Sequence, residues 1–286
     1  MIYRIVHNSR CLIGEGPLWW NDKLWFVDGF CNAVRTADPE TLEEKEYIDE
    51  GVVTSLNPMA DGKLLLTRLD GKFDILNEVT GEITPFAFDH QNRVLHFNDS
   101  IVGPDGCLYV GNRRDHPHIK GEVNPDNGLY RLSPDGSFVK LAEDFKAING
   151  LDFSPDGNIL YVVDSARASL RKFGFGEILT ELGSITLEGH PDGMTVDAEG
   201  YPICALWAPG KVIRVDPKTG ETLETYQMPC CVSSCAFGGD DFAKLYVVTN
   251  AWHSDPVEMQ DGRTYEVEIG RCGQAPYIFG VPNQTR

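Results

Sequence analysis

At 286 residues the chain is long enough to bury a large core as one or two domains. It carries 25 basic and 43 acidic residues, a formal charge of −18. Such a surface repels phosphate backbones and anionic lipid, which argues against nucleic-acid or membrane partners and suits a solvated protein.

In chain order, six short apolar strands recur, each after a turn. They are Lys23-Leu-Trp-Phe-Val, Lys63-Leu-Leu-Leu-Thr, Cys107-Leu-Tyr-Val-Gly, Ile159-Leu-Tyr-Val-Val, Tyr201-Pro-Ile-Cys-Ala and Lys244-Leu-Tyr-Val-Val. The turns before them read Asn21-Asp22, Asp61-Gly62, Asp105-Gly106, Asp156-Gly157, Glu199-Gly200 and Asp240-Asp241, mostly good hairpin chemistry. A spacing of about 40 residues, with one interval near 50, marks an array of four-stranded units. The repeat predicts an all-β, six-bladed β-propeller forming a single domain over residues 1–286. No segment shows a helical period.

The sixth unit offers Ser234-Cys-Ala-Phe, Leu245-Tyr-Val-Val and Thr264-Tyr-Glu-Val but little for a fourth strand. The N-terminal Ile2-Tyr-Arg-Ile-Val has no unit of its own. Pairing it with the C-terminal unit closes the ring and hides two sheet edges. No run is apolar enough to cross a bilayer, and the N-terminal residues lack a signal-peptide core, so a cytoplasmic protein is expected. The eight cysteines fit no zinc spacing, and adjacent Cys230 and Cys231 do not suit an ordinary bridge; reduced, mostly buried thiols are expected.

The stretched interval falls at the third unit, where a long loop runs from Asn112 to Asn127 with Arg113, Arg114, Asp115, His116 and His118. Loops of this length are usually functional or disordered. This one suits a pocket wall, as do Trp207, Trp252 and His253 after second strands, although rim packing explains those three equally well.

Before each innermost strand, at equivalent places, stand Glu15, Asn57, Asn98, Asn149, Asp192 and Ser233 or Ser234. Innermost strands of a propeller line its channel, so residues of equal phase converge at one mouth. Two carboxylates with two or three amide carbonyls are hard oxygen donors suited to a divalent cation. Calcium is favoured by ligand type, while zinc, magnesium and manganese also accept such donors. Pro191-Asp192-Gly193 reads equally as a turn by composition. Its unit already has a turn at Ala198-Glu199-Gly200, however, so Asp192 is out of phase with a hairpin.

The runs Ile13-Gly-Glu-Gly-Pro-Leu-Trp, Phe97-Asn-Asp, Asn149-Gly-Leu-Asp-Phe-Ser-Pro-Asp-Gly and Pro191-Asp-Gly-Met-Thr-Val-Asp-Ala-Glu-Gly resemble the senescence-marker-protein/gluconolactonase (regucalcin-like) family. Val212-Ile-Arg-Val-Asp-Pro, Cys235-Ala-Phe-Gly-Gly and Ala275-Pro-Tyr extend the resemblance over almost the whole chain. It implies a six-bladed propeller that hydrolyses lactones with one divalent metal. The implied metal ligands are Glu15, Asn149 and Asp192, with Asn98 touching metal or substrate. His96 stands where the family often carries a sugar-gripping arginine, and Asp115 or His116 near a substrate-binding glutamate.

The expected activity is therefore that of a metal-dependent lactonase, a gluconolactonase-like carboxylic ester hydrolase acting on a small-molecule sugar lactone or related lactone. Asp192 is its expected ligand and general base, and Asn98, His96, Arg113, Asp115 and His116 its substrate contacts. No Gly-x-Ser-x-Gly elbow supports a nucleophilic serine. A phosphotriester or other ester hydrolase on the same site, and a non-enzymatic binding propeller with a structural ion, remain the alternatives. A monomer or small homo-oligomer is expected.

Overall fold

The structure, a computed structural model, describes residues 3–29, 31–48, 50–113, 126–252 and 261–282. After β1 (Tyr3–Ile5), blade 1 is β2 (Gly14–Trp20), β3 (Lys23–Asp28), β4 (Ala33–Ala37) and β5 (Glu44–Ile48). Blade 2 is β6 (Val53–Pro58), β7 (Leu64–Arg68), β8 (Phe73–Leu76) and β9 (Ile83–Pro85). Blade 3 is β10 (Phe97–Val102), β11 (Leu108–Asn112), β12 (Gly128–Leu132) and β13 (Phe138–Ala142). Blade 4 is β14 (Ile148–Phe153), β15 (Ile159–Asp164), β16 (Ser169–Gly174) and β17 (Thr180–Thr186). Blade 5 is β18 (Pro191–Val196), β19 (Pro202–Leu206), β20 (Lys211–Val215) and β21 (Thr222–Gln227). Blade 6 is β22 (Val232–Gly238), β23 (Lys244–Thr249) and β24 (Thr264–Val267), completed by β1.

Each blade is an antiparallel meander, and the first strands β2, β6, β10, β14, β18 and β22 touch in cyclic order around the axis. This is the six-bladed propeller expected from the repeat. Ring closure also follows the expectation: β1 pairs with β24, with Tyr3 opposite Val267 and Ile5 opposite Tyr265.

The second strands are the buried ones. Leu24 to Val27, Leu64 to Leu66, Leu160 to Val163 and Leu245 to Val248 lie almost wholly out of solvent. Adjacent blades cover both faces of these strands, so they read as continuous apolar runs rather than alternating ones. The outer strand β21 alternates between half-buried and exposed residues. The turn before β3 carries Asn21 and Asp22 at φ 52° and 58°, the left-handed pair of a tight hairpin. In the sixth unit the left-handed residues are Gly239 and Phe242, flanking the expected Asp240-Asp241.

All eight cysteines are free thiols; Cys11, Cys107, Cys204 and Cys235 are buried, Cys230 and Cys231 half-buried, and Cys31 and Cys272 exposed, fewer buried than expected. Among the described residues no helix is long and apolar enough to cross a membrane.

The segment after β24 crosses the side of the ring that bears the turns between first and second strands. Ala198 N donates to Cys272 O at 2.8 Å, Gly273 N to Phe242 O at 2.8 Å, Phe279 N to Pro58 O at 2.9 Å and Gly280 N to Gly106 O at 2.9 Å. It thereby ties the turns of blades 5, 6, 2 and 3, burying Tyr277 and Phe279. Gln274 and Pro276 of this segment also line a channel cavity of about 100 Å³, together with Asp99, Ser100 and Asp152.

Candidate active site at the open mouth of the channel

All six first strands carry a register irregularity near their starts, on the side away from that C-terminal segment. The shifts fall between Glu15 and Leu18, Val53 and Ser55, Phe97 and Ser100, Ile148 and Leu151, Pro191 and Met194, and Val232 and Ser234. A β-bulge leaves a residue unpaired and re-aims its side chain. Asn98, Asn149 and Asp192 lie inside their bulges, and Glu15 opens its own.

These residues therefore lie within the first strands, not before them as the sequence suggested. The extra residue of each bulge makes the strand start look like a preceding loop. Asn57 is also out of phase. The bulge position of β6 is Thr54, and Asn57 lies three residues deeper, donating to Ser100 Oγ at 2.9 Å. Ser233 holds the bulge position in β22, where its hydroxyl donates to the Gly14 carbonyl and to Val248 O.

At the mouth, Asn98 Nδ2 donates to Asn149 Oδ1 at 3.1 Å and to Ile148 O at 2.9 Å. The Asn149 side chain in turn acts on the Asp192 carboxylate, favouring its charged form. Thr54 Oγ1 fixes the Asn98 carbonyl at 2.8 Å. Gly193 and Gly150 let the strands come this close: a methyl on Gly193 would overlap the Ser234 side chain, and one on Gly150 the backbone of β18.

Burial, then repulsion from Asp192 and Asp99, holds the Glu15 carboxyl well above the usual carboxylate range. Burial and the nearby Asp99 push Asp192 up to about 8, opposed by Arg113 and the Asn149 hydrogen bond. Burial also raises Asp99 to about 7, again opposed by Arg113. The Arg113 guanidinium thus acts on all three acids.

Asp99 is the site residue that sequence reasoning missed. Its signal was present in Phe97-Asn98-Asp99, two consecutive polar side chains in a strand that should alternate. The bulge is what allows both to reach the channel side.

Glu15 Oε2 is buried with no hydrogen-bond partner among the described residues. A buried carboxylate oxygen without a donor is costly, and a hard cation is one group that satisfies it. Among the described residues no three His, Cys, Asp or Glu side chains form a cluster able to hold a metal ion. A cation here thus needs amide oxygens from Asn149 or Asn98 beside the carboxylates. With that provision the residues present fit a divalent ion.

His96 precedes β10 and is buried, with its Nδ1 unpartnered among the described residues. Asp115 and His116, expected at the substrate, lie outside the described residues, as do Arg114, His118 and His253. Trp207 is half-buried and Trp252 exposed, each following the second strand of its blade.

A closed ring of six blades with an acid-and-amide centre at one mouth of the channel defines the class: a channel-site β-propeller. More narrowly, residues 13–251 match the model of the SMP-30/Gluconolactonase/LRE-like region, and the chain belongs to that family. Its relatives include a Bacillus subtilis (strain 168) protein named provisionally as the sugar lactone lactonase YvrE, 29% identical over 288 residues, covering 95% of this chain and 96% of that protein. Regucalcin of Macaca fascicularis is 31% identical over 288 residues, with 95% of each chain covered. Among solved structures, a calcium-binding protein, regucalcin, from Agrobacterium tumefaciens superposes with a TM-score of 0.86 at 23% identity, over 98% of both chains.

Proposed function

We propose that the protein is a divalent-metal-dependent lactonase that opens a sugar lactone or a related small lactone. The observation that carries this reading is the buried Glu15 Oε2, without a hydrogen-bond partner among the described residues, at a mouth shared with Asp192, Asn149 and Asn98. Membership of a gluconolactonase-containing family and the name of the Bacillus relative support it.

Glu15, Asn149 and Asp192 are the proposed holders of the ion, calcium by preference for hard oxygen donors, and Asn98 touches ion or substrate. When bound, the ion would supply Lewis acidity to the lactone carbonyl and positive charge against the clustered carboxylates. Asp192 takes the proton of the attacking water, a role within reach of a carboxylate placed beside the ion. Arg113 offsets the third negative charge, contributed by Asp99. His96, in place of the arginine frequent in the family, shapes the substrate side, with Asp115 and His116 contributing from the long loop.

The test is proton release from aldonolactones and simple γ- and δ-lactones, run as purified, after chelation, and after return of single divalent ions. Hydrolysis that chelation removes and one ion restores is expected, with Asp192→Asn inactive but still cooperatively folded. An active Asp192→Asn enzyme, or no turnover with any ion, refutes the reading.

A further inference from the structure

The last residues of the second strands occupy one register position in all six blades. Asp28 stands opposite Gly14, Arg68 opposite Val53, Asn112 opposite Phe97, Asp164 opposite Ile148, Leu206 opposite Pro191 and Thr249 opposite Val232. At three of these positions the side chain accepts hydrogen bonds from the backbone leading into its own first strand.

Asp28 accepts from Leu12 N and Ile13 N, both at 3.2 Å. Asn112 Oδ1 accepts from His96 N at 2.5 Å. Asp164 accepts from Lys146 N at 3.0 Å and Ala147 N at 2.9 Å. All three side chains are wholly buried.

The pattern is selective. Ile13, His96 and Ala147 each lie two residues before Glu15, Asn98 and Asn149, the proposed donors of blades 1, 3 and 4. The other blades lack an acceptor aimed at that backbone: Arg68 is a donor that pairs with Asp74 and lies against Gly51, Thr249 donates to Arg263 O, and Leu206 is apolar. A plain backbone bond is shared more widely, for Gly29 N, Arg113 N, Ser165 N and Trp207 N all donate to the corresponding carbonyl. Holding the blade together therefore does not require the side-chain clamp. What the clamped blades have in common is a donor that follows at a fixed offset, inside the bulge for Asn98 and Asn149 and at its opening for Glu15; blade 5 carries the donor Asp192 without a clamp.

We infer that Asp28, Asn112 and Asp164 are positioning residues that set the backbone, and so the side-chain direction, of Glu15, Asn98 and Asn149. The inference rests on the metal reading above. Each clamp acts through the peptide two residues upstream and touches neither substrate nor ion. Groups that orient metal ligands in this way typically change affinity by about 10–100-fold when removed.

The experiment is calorimetric titration of Ca²⁺ into the wild type, Asp28→Asn, Asp164→Asn and the control Asp197→Asn, with urea unfolding of each in chelator. Asp197 is equally buried but lies beyond the other end of β18, where it binds Glu199 N, Tyr201 N and Arg214. Asn112→Ala leaves no buried charge behind and serves where an acid replacement fails to fold. Weakening of Ca²⁺ binding by about 10-fold or more in the clamp variants, with the control within about 2-fold of wild type at a comparable stability loss, is expected. Clamp variants that bind Ca²⁺ like the wild type overturn the inference alone. A wild type that takes up no Ca²⁺ overturns the metal reading and the inference with it.

Discussion

The seam that closes the ring contains a pH-sensitive residue whose effect can be worked out from its surroundings. His7 follows β1 and is wholly buried. Its Nε2 meets Thr264 Oγ1 at 2.7 Å, its Nδ1 meets Ser9 Oγ at 3.1 Å, and the ring stacks on Phe26 with centroids 4.7 Å apart. Burial pushes the imidazole from its ordinary 6.5 down to about 4, with Arg35 and Arg263 reinforcing and Glu44 opposing. Between these two values the unfolded chain binds a proton that the folded chain does not. Stability therefore falls as pH drops below 6.5, and this contribution is fully lost below about 4.

At pH 5 an imidazole with these two values costs about 2 kcal/mol relative to pH 8. His7→Gln keeps a polar side chain without a titrating proton. Urea unfolding of both proteins at pH 8 and pH 5 should give the wild type a loss larger by about 2 kcal/mol than the variant's. Comparing the losses removes any baseline cost of the substitution. Equal losses in the two proteins refute the reasoning.

Gly193→Ala puts a methyl into the Ser234 side chain and 2.7 Å from the Ser234 Cα, and should destabilise by about 1–3 kcal/mol by calorimetry. Ser234→Gly in the same chain should recover part of that loss, because the side-chain share of the overlap is gone. Phe279→Ala removes a ring that is 2% exposed and edge-on to Phe86, and a loss of about 3–5 kcal/mol in urea unfolding is expected. Arg113→Met should lower lactone turnover by about 10-fold or more and, in chelator, lower the melting temperature, since three carboxylates then lack their cation. Unchanged values of both count against its assigned part.

The blades were legible because each contributes a continuous apolar second strand after a turn, a pattern that survives in a linear reading. Leu108-Tyr109-Val110 and Leu245-Tyr246-Val247 declare themselves this way, and both are almost wholly buried. Closure by the N-terminal strand was legible by counting, since the sixth unit lacked a partner for β24. The bulges were hard to read, because a bulge is a relation between two paired strands and shows in one strand only as broken alternation, as at Asn98-Asp99. That is why Asn57 reads as in phase with Asn98 although it stands three residues deeper than the bulge. It is also why Asp99 was passed over beside Asn98. The clamps Asp28, Asn112 and Asp164 escaped for a related reason: a residue that ends an apolar strand reads as the beginning of a loop until its partners two strands' ends away are known.

Within a repeated architecture, the informative residues are those that break the repeat. The bulge position of the six first strands is occupied by Glu15 at its opening in β2, then by Thr54, Asn98, Asn149, Asp192 and Ser233 in the following strands. Thr54 and Ser233 show what the scaffold alone asks for there. Each is a small hydroxyl that satisfies backbone of the next first strand, Thr54 the Asn98 carbonyl and Ser233 the Gly14 carbonyl. A hydroxyl of that kind would serve in any blade, and a buried carboxylate at the same place is costly without a compensating charge. The chain nevertheless places Glu15 and Asp192 there with Asp99 beside them, at the mouth that the C-terminal segment leaves uncovered. The two hydroxyl blades then do for β10 and β2 what the ladder cannot do across a bulge, fixing the strands from which Asn98 and Glu15 project. Stability is thus given up at the two carboxylate positions, and the two hydroxyls hold the strands of Asn98 and Glu15 in register. This division of labour is expected of a site built to bind a cation and substrate, and a ring shaped by packing alone has no use for it.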